Sequence, residues 1–190
     1  MLNGNLDTHE QILDSVWSGL REGVKHGAHP FHTPVLATTA GNEPDARTVV
    51  LRLVDKEQRR IFCHTDARSP KVSMLQCNPR AAWLFYDRKA KIQLRLYGEV
   101  SVLCADAIAK SRWEASTPSS RHCYLASHAP GRVLPADAKE STQTNDGFNN
   151  FAVISAEVSA IDWLFLRAKG HQRVRFDWVE GQWKSCSIAP

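Results

Sequence analysis

The 190-residue sequence has no apolar stretch approaching the roughly 20 residues that cross a membrane, and it has no large excess of charge of either sign. Its 24 basic and 20 acidic residues give a net charge of +4 and are interspersed along the chain. Such mild basicity is compatible with an anionic ligand but is too weak to indicate nucleic acid. The first residues show no signal-peptide pattern. We therefore expect a cytoplasmic protein that binds neither a membrane nor a nucleic acid.

The five cysteines include no C-x-x-C pair, which structural zinc sites and redox motifs usually contain. Free thiols in a reducing compartment explain them better. Three histidines are close together in the sequence KHGAHPFH, but no carboxylate or thiol accompanies them there. We expect no bound metal.

The length and the 43% hydrophobic content allow one sizeable core, so we predict a single domain over residues 1–190. Residues 1–27 contain an amphipathic helix from Thr8 to about Lys25, and Thr8 with Gln11 offers a capping box at its start. Residues 129–150 are rich in Pro, Gly, Ser, Thr, Asn and Asp, and they predict a long loop that is either functional or disordered.

The rest of the chain predicts about eight strands. Residues 34–55 are interpreted as two β-runs joined by a Gly-Asn-Glu-Pro-Asp turn, and RRIFCHT as a third strand. Strands at 81–87 and 91–103 follow, then helices at 105–116 and 119–127, and then three strands near the C-terminus. Apolar and polar residues alternate in the 91–103 strand, which indicates one buried face. The pattern predicts a mainly β (α+β) fold, an antiparallel barrel with peripheral helices.

A cluster of polar residues occurs where the third strand gives way to a short helix. The segment HTDARSPKV places Thr65, Arg68, Ser69 and Lys71 at a helix start, with Ser69 at the N-cap and proline at the first helical position. Helix N-termini favour phosphate, so a phosphate cradle is one interpretation. An ordinary cap with solvated charges is the other, and spacing alone does not separate them. Basic residues at both ends of the run TVVL, Arg47 and Arg52, favour the cradle.

Five fragments extend this pattern: ARTVVLR, HTDARSPKVSMLQCNPRAAWLFYD, IQLRLYGEV, DWLFLRAKGHQRVRF and the closing W with SIAP. In order and spacing they resemble the pyridoxine/pyridoxamine 5'-phosphate oxidase family of FMN-binding split β-barrels, over roughly residues 31–190. The resemblance implies an antiparallel split β-barrel of the FMN-binding type and FMN as cofactor. It also implies a homodimer that holds FMN at the subunit interface.

The resemblance further implies roles for individual residues. Arg47 and Lys71 would meet the FMN phosphate, with Arg68 replacing an arginine whose place is taken by Pro70. Gln93 would hydrogen-bond the isoalloxazine edge. With the cradle, the candidate cofactor-binding residues are Arg47, Val50, Leu51, Arg52, His64, Thr65, Arg68, Ser69, Lys71, Gln93, His128, Trp163 and Arg173.

The implied chemistry is hydride transfer from a substrate carbon to flavin N5, followed by reoxidation by oxygen or another acceptor. Lys169 and His171 replace the Arg-x-His that family members place over the flavin, and either Arg173 or Arg52 would stabilise the reduced flavin. We therefore expect an FMN-dependent oxidoreductase related to pyridoxamine 5'-phosphate oxidase, acting on a small substrate. Thr117 stands where a substrate-binding arginine is usual, which leaves two alternatives open: a non-catalytic FMN carrier or sensor, and an NAD(P)H-dependent flavin reductase.

Overall fold

The computed structural model describes residues 8–136 and 147–190. Its helices are α1 His9–Lys25, α2 Pro70–Cys77, α3 Ala107–Glu114 and α4 Pro118–His122, with a 3-10 turn at Phe148–Asn150. Its strands are β1 Val35–Ala40, β2 Glu43–Thr48, β3 Leu51–Asp55, β4 Arg60–Asp66, β5 Arg80–Asp87, β6 Ile92–Cys104, β7 Phe151–Phe165, β8 Gln172–Val179 and β9 Gln182–Ser187. The prediction of a mainly β fold with a few helices is confirmed.

The sheet is antiparallel and is organised around two long strands, β6 and β7. The strand order is β2-β1-β5-β6-β7-β4-β3, and β8 also pairs with β7 and carries β9. The edge of β7 that does not pair with β6 is therefore divided between two strands. Its residues 151–157 pair with β4, whereas residues 160–165 pair with β8. One strand thus belongs to two diverging parts of the sheet.

A glycine makes the close contact between the two long strands possible. The register of β6 and β7 shifts between Tyr97 and Gly98. A Cβ atom at Gly98 would lie 2.1 Å from the carbonyl oxygen of Glu157. Any other residue here would therefore force the strands apart.

The main core lies between the sheet and α1. Strand residues such as Leu36, Leu94 and Phe176 are fully or almost fully buried, and Trp17 from α1 closes the cluster. A second apolar cluster lies on the other face of β4 and β7, under α3. Its buried members are Phe62, Ala109, Trp113, Phe151 and Val153.

The predicted opening helix is confirmed. Thr8 is the N-cap of α1, and its side chain and that of Gln11 form the reciprocal bonds of a capping box. The apolar stripe of this amphipathic helix buries Ile12, Val16 and Leu20. These contacts fix α1 against the sheet.

The interpretation of residues 34–55 as two strands is wrong. The turn is only Gly41–Asn42, and the second run breaks at Val49–Val50 into β2 and β3. Among the described strands, β2 pairs only with β1, whereas β3 pairs with β4. Arg47 and Arg52 consequently lie on different strands instead of at the two ends of one.

Three smaller corrections concern the periphery. The structure shows nine strands within its described residues, not eight. The helix predicted at 119–127 ends at His122. The predicted long loop contains a 3-10 turn at its end, and its residues 137–146 lie outside the described part of the chain. Within residues 8–136 and 147–190, no helix has the length and apolarity to span a membrane.

Candidate functional site

Lys71 lies at the start of α2, beside two hydroxyl groups. Its Nζ donates to Ser69 Oγ at 2.6 Å and to Thr65 Oγ1 at 3.2 Å. Ser69 is the N-cap by position, but its side chain makes no capping bond. The simple helix-cap interpretation is therefore wrong for Ser69, whose hydroxyl orients the lysine instead. Lys71 lies in the first turn of α2, and this end of a helix favours an anion.

Arg47 reaches the same region from β2. Its guanidinium donates to Thr38 Oγ1 at 2.7 Å, pairs with Asp45, and contacts Met74 Sδ on α2 at 3.8 Å. Burial lowers the pKa of Lys71, and the charge of Arg47 lowers it further. Two half-buried cations thus face one another, and an anion between them would relieve their repulsion. We call Arg47, Thr65, Ser69 and Lys71 the cradle.

Arg68 is held by a neighbouring carboxylate, and its expected contact with FMN stays a prediction. Its Nε and Nη2 donate to the Asp66 carboxylate at 3.0 and 2.7 Å, and Nη2 also donates to the carbonyl of Ala126. The hydrogen bonds to Asp66 raise the pKa of Arg68. Because this guanidinium is held by a buried carboxylate, it ties the chain around Ala126 to the cradle.

His128 lies in the segment that Arg68 holds in place. Gly131 of the same segment approaches Pro70 at the start of α2. The imidazole Nδ1 of His128 is buried and has no hydrogen-bond partner among the described residues. The predicted position of His128 near the cradle fits this geometry, and its contact with FMN stays a prediction.

Gln93 and Arg173 lie on one face of the sheet. Gln93 of β6 is opposite Leu164 of β7, which is opposite Arg173 of β8. Residues directly opposite in neighbouring strands project to the same side, so the two side chains share a face about 10 Å apart. Gln93 is partly exposed and makes no side-chain hydrogen bond to a described residue. This face can accept a planar ligand.

Arg173 is anchored by an ion-pair network. Its Nε and Nη2 donate to the Asp162 carboxylate at 3.0 and 2.8 Å, and Arg95 donates to the same carboxylate at 2.6 Å. Asp162 is only 3% exposed. Burial raises its pKa, but the hydrogen bond from Arg173 and the charge of Arg95 outweigh burial and hold the pKa below its usual value.

Trp163 does not share the ligand-accessible face. Because side chains alternate along a strand, the residue before Leu164 points to the opposite side. Trp163 is 0% exposed and belongs to the main core. In the described structure it is a core aromatic, and the alternation gives the physical reason.

Replacing Trp163 by phenylalanine should lower the free energy of unfolding by about 1–3 kcal/mol, because it leaves a cavity in a packed core. Urea unfolding of the apoprotein measures this change. FMN affinity, titrated in parallel, should stay within about twofold of wild type, since this ring packs in the interior. A larger loss of affinity without a loss of stability would favour the flavin contact implied by the resemblance.

The residues expected to act on the substrate lie in an exposed loop between β7 and β8. Lys169 and His171 are both exposed, and Gly170 between them adopts φ 104°. The loop is closed by Arg167, whose backbone N–H donates to His171 Nδ1 and whose Nε donates to the Gly170 carbonyl. Catalytic roles for Lys169, His171 and Arg173 stay predictions.

Arg52 and His64 line a separate cavity of about 190 Å³. Its other lining residues come from α3, from α4 and from the turn between them: Arg112, Ala115, Ser116, Thr117 and Ser120. Cationic groups, an imidazole and hydroxyl groups line this cavity, and none of its lining residues in the described part of the chain carries a carboxylate. We call it the Arg52–Arg112 pocket. Its chemistry is that of an anion-binding site.

His64 is neutral at physiological pH. Burial, together with the charges of Arg52 and Arg112, lowers the pKa of His64 to about 4. Its ring packs edge-on against Phe151 with centroids 4.9 Å apart, and its buried Nε2 has no partner among the described residues. A neutral imidazole with an unpartnered nitrogen can exchange a hydrogen bond with a ligand.

Sequence reasoning missed Arg112. The neighbouring Arg121 is held by the carbonyls of Trp113 and Glu114. The available signal was helical spacing. Arg112 directly precedes Trp113, which α3 buries, so Arg112 lies at the margin of the buried face of this helix.

An antiparallel barrel with paired cations at a helix N-terminus and a polar sheet face beside it is typical of proteins that hold a phosphorylated planar ligand. Residues 14–104 match the family model described as pyridoxamine 5'-phosphate oxidase, FMN-binding domain. The chain is similar to this family of FMN-binding split-barrel proteins over most of its length, and FMN is the cofactor that defines the matched domain.

Relatives and solved structures agree over most of the chain. A pyridoxine/pyridoxamine 5'-phosphate oxidase of Xylella fastidiosa (strain 9a5c) is 29% identical over 194 residues, 93% of this chain and 91% of the relative. A pyridoxamine 5'-phosphate oxidase-related, FMN-binding protein of Nostoc punctiforme PCC 73102 superposes with a TM-score of 0.75 at 19% identity, covering 97% of this chain and 98% of its own. PhzG of Burkholderia lata 383, in complex with tetrahydrophenazine-1-carboxylic acid, superposes with a TM-score of 0.74 at 17% identity, covering 98% and 95%. The predicted split-barrel fold is confirmed.

Proposed function

We propose that the protein is an FMN-dependent oxidoreductase that oxidises a small substrate carrying a phosphate or carboxylate group. The observation that carries the proposal is the pair of cationic sites, the cradle and the Arg52–Arg112 pocket. The first suits the phosphate of FMN, and the second suits the anionic group of a substrate. When bound, FMN supplies a hydride acceptor at N5 and passes the electrons to oxygen or another acceptor.

The cradle fits the FMN phosphate in charge and in donor geometry. Lys71 and Arg47 supply two cations, and the start of α2 supplies backbone N–H groups. Thr65 and Ser69 orient the lysine, so little side-chain entropy remains to be lost on binding. Gln93, on the exposed sheet face, is the group we assign to the isoalloxazine edge.

The Arg52–Arg112 pocket selects the substrate by charge. A guanidinium forms bidentate hydrogen bonds with both phosphate and carboxylate. Ser116, Thr117 and Ser120 also line it and carry hydroxyl groups. Because Arg52 belongs to β3, immediately after the β2 strand of the cradle, a substrate held here lies beside the cofactor-binding region. The pocket thereby orients the substrate and confers specificity.

Anaerobic reduction tests the proposal. The FMN-loaded protein is mixed with pyridoxamine 5'-phosphate, with tetrahydrophenazine-1-carboxylic acid as the carboxylate probe, or with NADPH, and the visible absorption of oxidised flavin is followed. Bleaching by either anionic substrate, with recovery on admitting oxygen, is the expected result.

The remaining outcomes separate the alternatives. Bleaching by NADPH alone indicates a flavin reductase. FMN binding without bleaching by any reductant indicates a carrier or sensor. Neither result affects the family assignment, but each overturns the proposed oxidation of an anionic substrate. The homodimer and the cytoplasmic location stay predictions, which sedimentation and fractionation would test.

A further inference from the structure

A second polar pocket lies at the other end of the β4–β7 face from the Arg52–Arg112 pocket. Three arginines, two glutamates, three serines and Trp178 line a cavity of about 320 Å³. On β4, Arg60 lines this cavity and His64 lines the other. These two residues are four positions apart, which is roughly 13 Å along the strand. The apolar cluster around Phe62 and Trp113 occupies the space between. We call the second cavity the Arg80 pocket.

Its floor is a row of charges that crosses four strands. Arg80 of β5 is opposite Glu99 of β6, Glu99 is opposite Glu157 of β7, and Glu157 is opposite Arg60 of β4. Glu157 is neutralised by Arg59 at 2.5 Å and by Arg60 at 3.4 Å. With three arginines against two glutamates, the pocket carries an excess of one positive charge.

Two of the arginines retain unused donors. Arg80 forms no ion pair and no side-chain hydrogen bond with any described residue. Arg59 stacks on the ring of Trp178 with its guanidinium carbon 3.9 Å from the ring centroid. Its buried Nε has no partner in the described structure. Stacking fixes the plane of this guanidinium, which favours a ligand with oxygen acceptors.

Ser155 gives an independent indication. It is only 4% exposed, it lines the pocket, and its hydroxyl makes no hydrogen bond to a described residue. The hydroxyl oxygen itself is open to the pocket and is therefore available to a ligand. A ligand oxygen in the pocket would provide a hydrogen-bond partner.

We propose that the Arg80 pocket binds a small oxyanion-bearing metabolite, a carboxylate or a phosphate monoester, at a site separate from the FMN and substrate sites. The unpaired guanidinium of Arg80, the stacked guanidinium of Arg59 and the hydroxyl of Ser155 are the donors. The proposal is independent of the proposed oxidase activity, since none of these residues lies in the cradle or in the Arg52–Arg112 pocket.

The test is a titration of the full-length, FMN-loaded protein with inorganic phosphate and, separately, with malonate, followed by arginine and backbone NMR shifts. Wild type is compared with Arg80→Ala and with Arg88→Ala, an exposed arginine in the β5–β6 turn. Arg80→Ala should weaken binding monitored at Arg59 and Ser155 by at least about tenfold, whereas Arg88→Ala should not. Shifts at Ser116 and Ser120 should persist in both variants. The anion that binds more tightly identifies the metabolite class.

Three outcomes would overturn the proposal. Unchanged anion affinity in Arg80→Ala excludes the site. An equal loss in Arg88→Ala indicates only the general positive charge of the surface. If Arg80→Ala changes the dissociation constant of an oligomer without changing anion affinity, a second copy of the chain covers the pocket. Sedimentation of the same samples distinguishes the last case.

Discussion

Replacing Lys71 by alanine should weaken FMN binding by about 10- to 100-fold, the loss expected for a hydrogen-bonded charge partner of a phosphate. Lys71 is held toward the cradle by Ser69 and Thr65, so its ammonium is already oriented. Removing it also relieves its repulsion with Arg47, which limits any loss of stability of the apoprotein. Fluorescence titration of FMN into apoprotein measures the affinity.

A matched control separates the cradle from general surface charge. Lys89 lies exposed in the β5–β6 turn, and its side chain makes no ion pair or hydrogen bond with a described residue. Lys89→Ala removes the same charge and should leave FMN affinity within about twofold, since exposed charges are screened by salt. Equal affinities for wild type and Lys71→Ala would show that the FMN phosphate binds elsewhere.

Much of the fold follows from local periodicity. The alternation of apolar and polar residues through Ile92, Gln93 and Leu94 predicts which face of β6 is buried, and the structure confirms it. The capping box of α1 likewise requires only residues three positions apart. The break at Val49–Val50 was missed because a run of β-branched residues is typical of a continuous strand, and what separates β2 from β3 is their different partners.

The candidate site likewise contains residues that local sequence predicts and residues whose place depends on the tertiary structure. Lys71, Ser69 and Thr65 lie within seven residues, so the helix start alone brings them together. The position of Trp163 depended instead on the alternation along β7, which places it in the core. Arg112 was missed because its significance depends on how α3 packs over β4 and β7, a tertiary contact that local sequence does not show. The prediction of a single domain stays untested.

Replacing Arg112 by alanine should lower kcat/KM for an anionic substrate by about 10- to 100-fold, mainly through KM, because the pocket loses a bidentate partner. FMN affinity should not change, since the cradle is formed by β2, β4 and α2. Lys110→Ala is the matched control. It removes a charge from an exposed position on the same helix, and that side chain makes no ion pair or hydrogen bond with a described residue.

The pH profile of the wild-type protein supplies a second measurement on the same pocket. The pKa of His64, lowered to about 4, keeps the imidazole neutral at higher pH. His64 should therefore contribute no ionisation to kcat/KM between about pH 5 and 8, around the ordinary value near 6.5.

The same pKa predicts how acid affects stability. Because the pKa of His64 is lower in the folded state than in the unfolded state, the group favours folding at neutral pH. That stability is lost as the pH falls from about 6.5 toward 4. Arg112→Ala removes one of the charges that depress this pKa, so in the variant the loss should level off at a higher pH and be smaller. An acid-unfolding profile that Arg112→Ala leaves unchanged would place His64 and Arg112 too far apart to form one anion site.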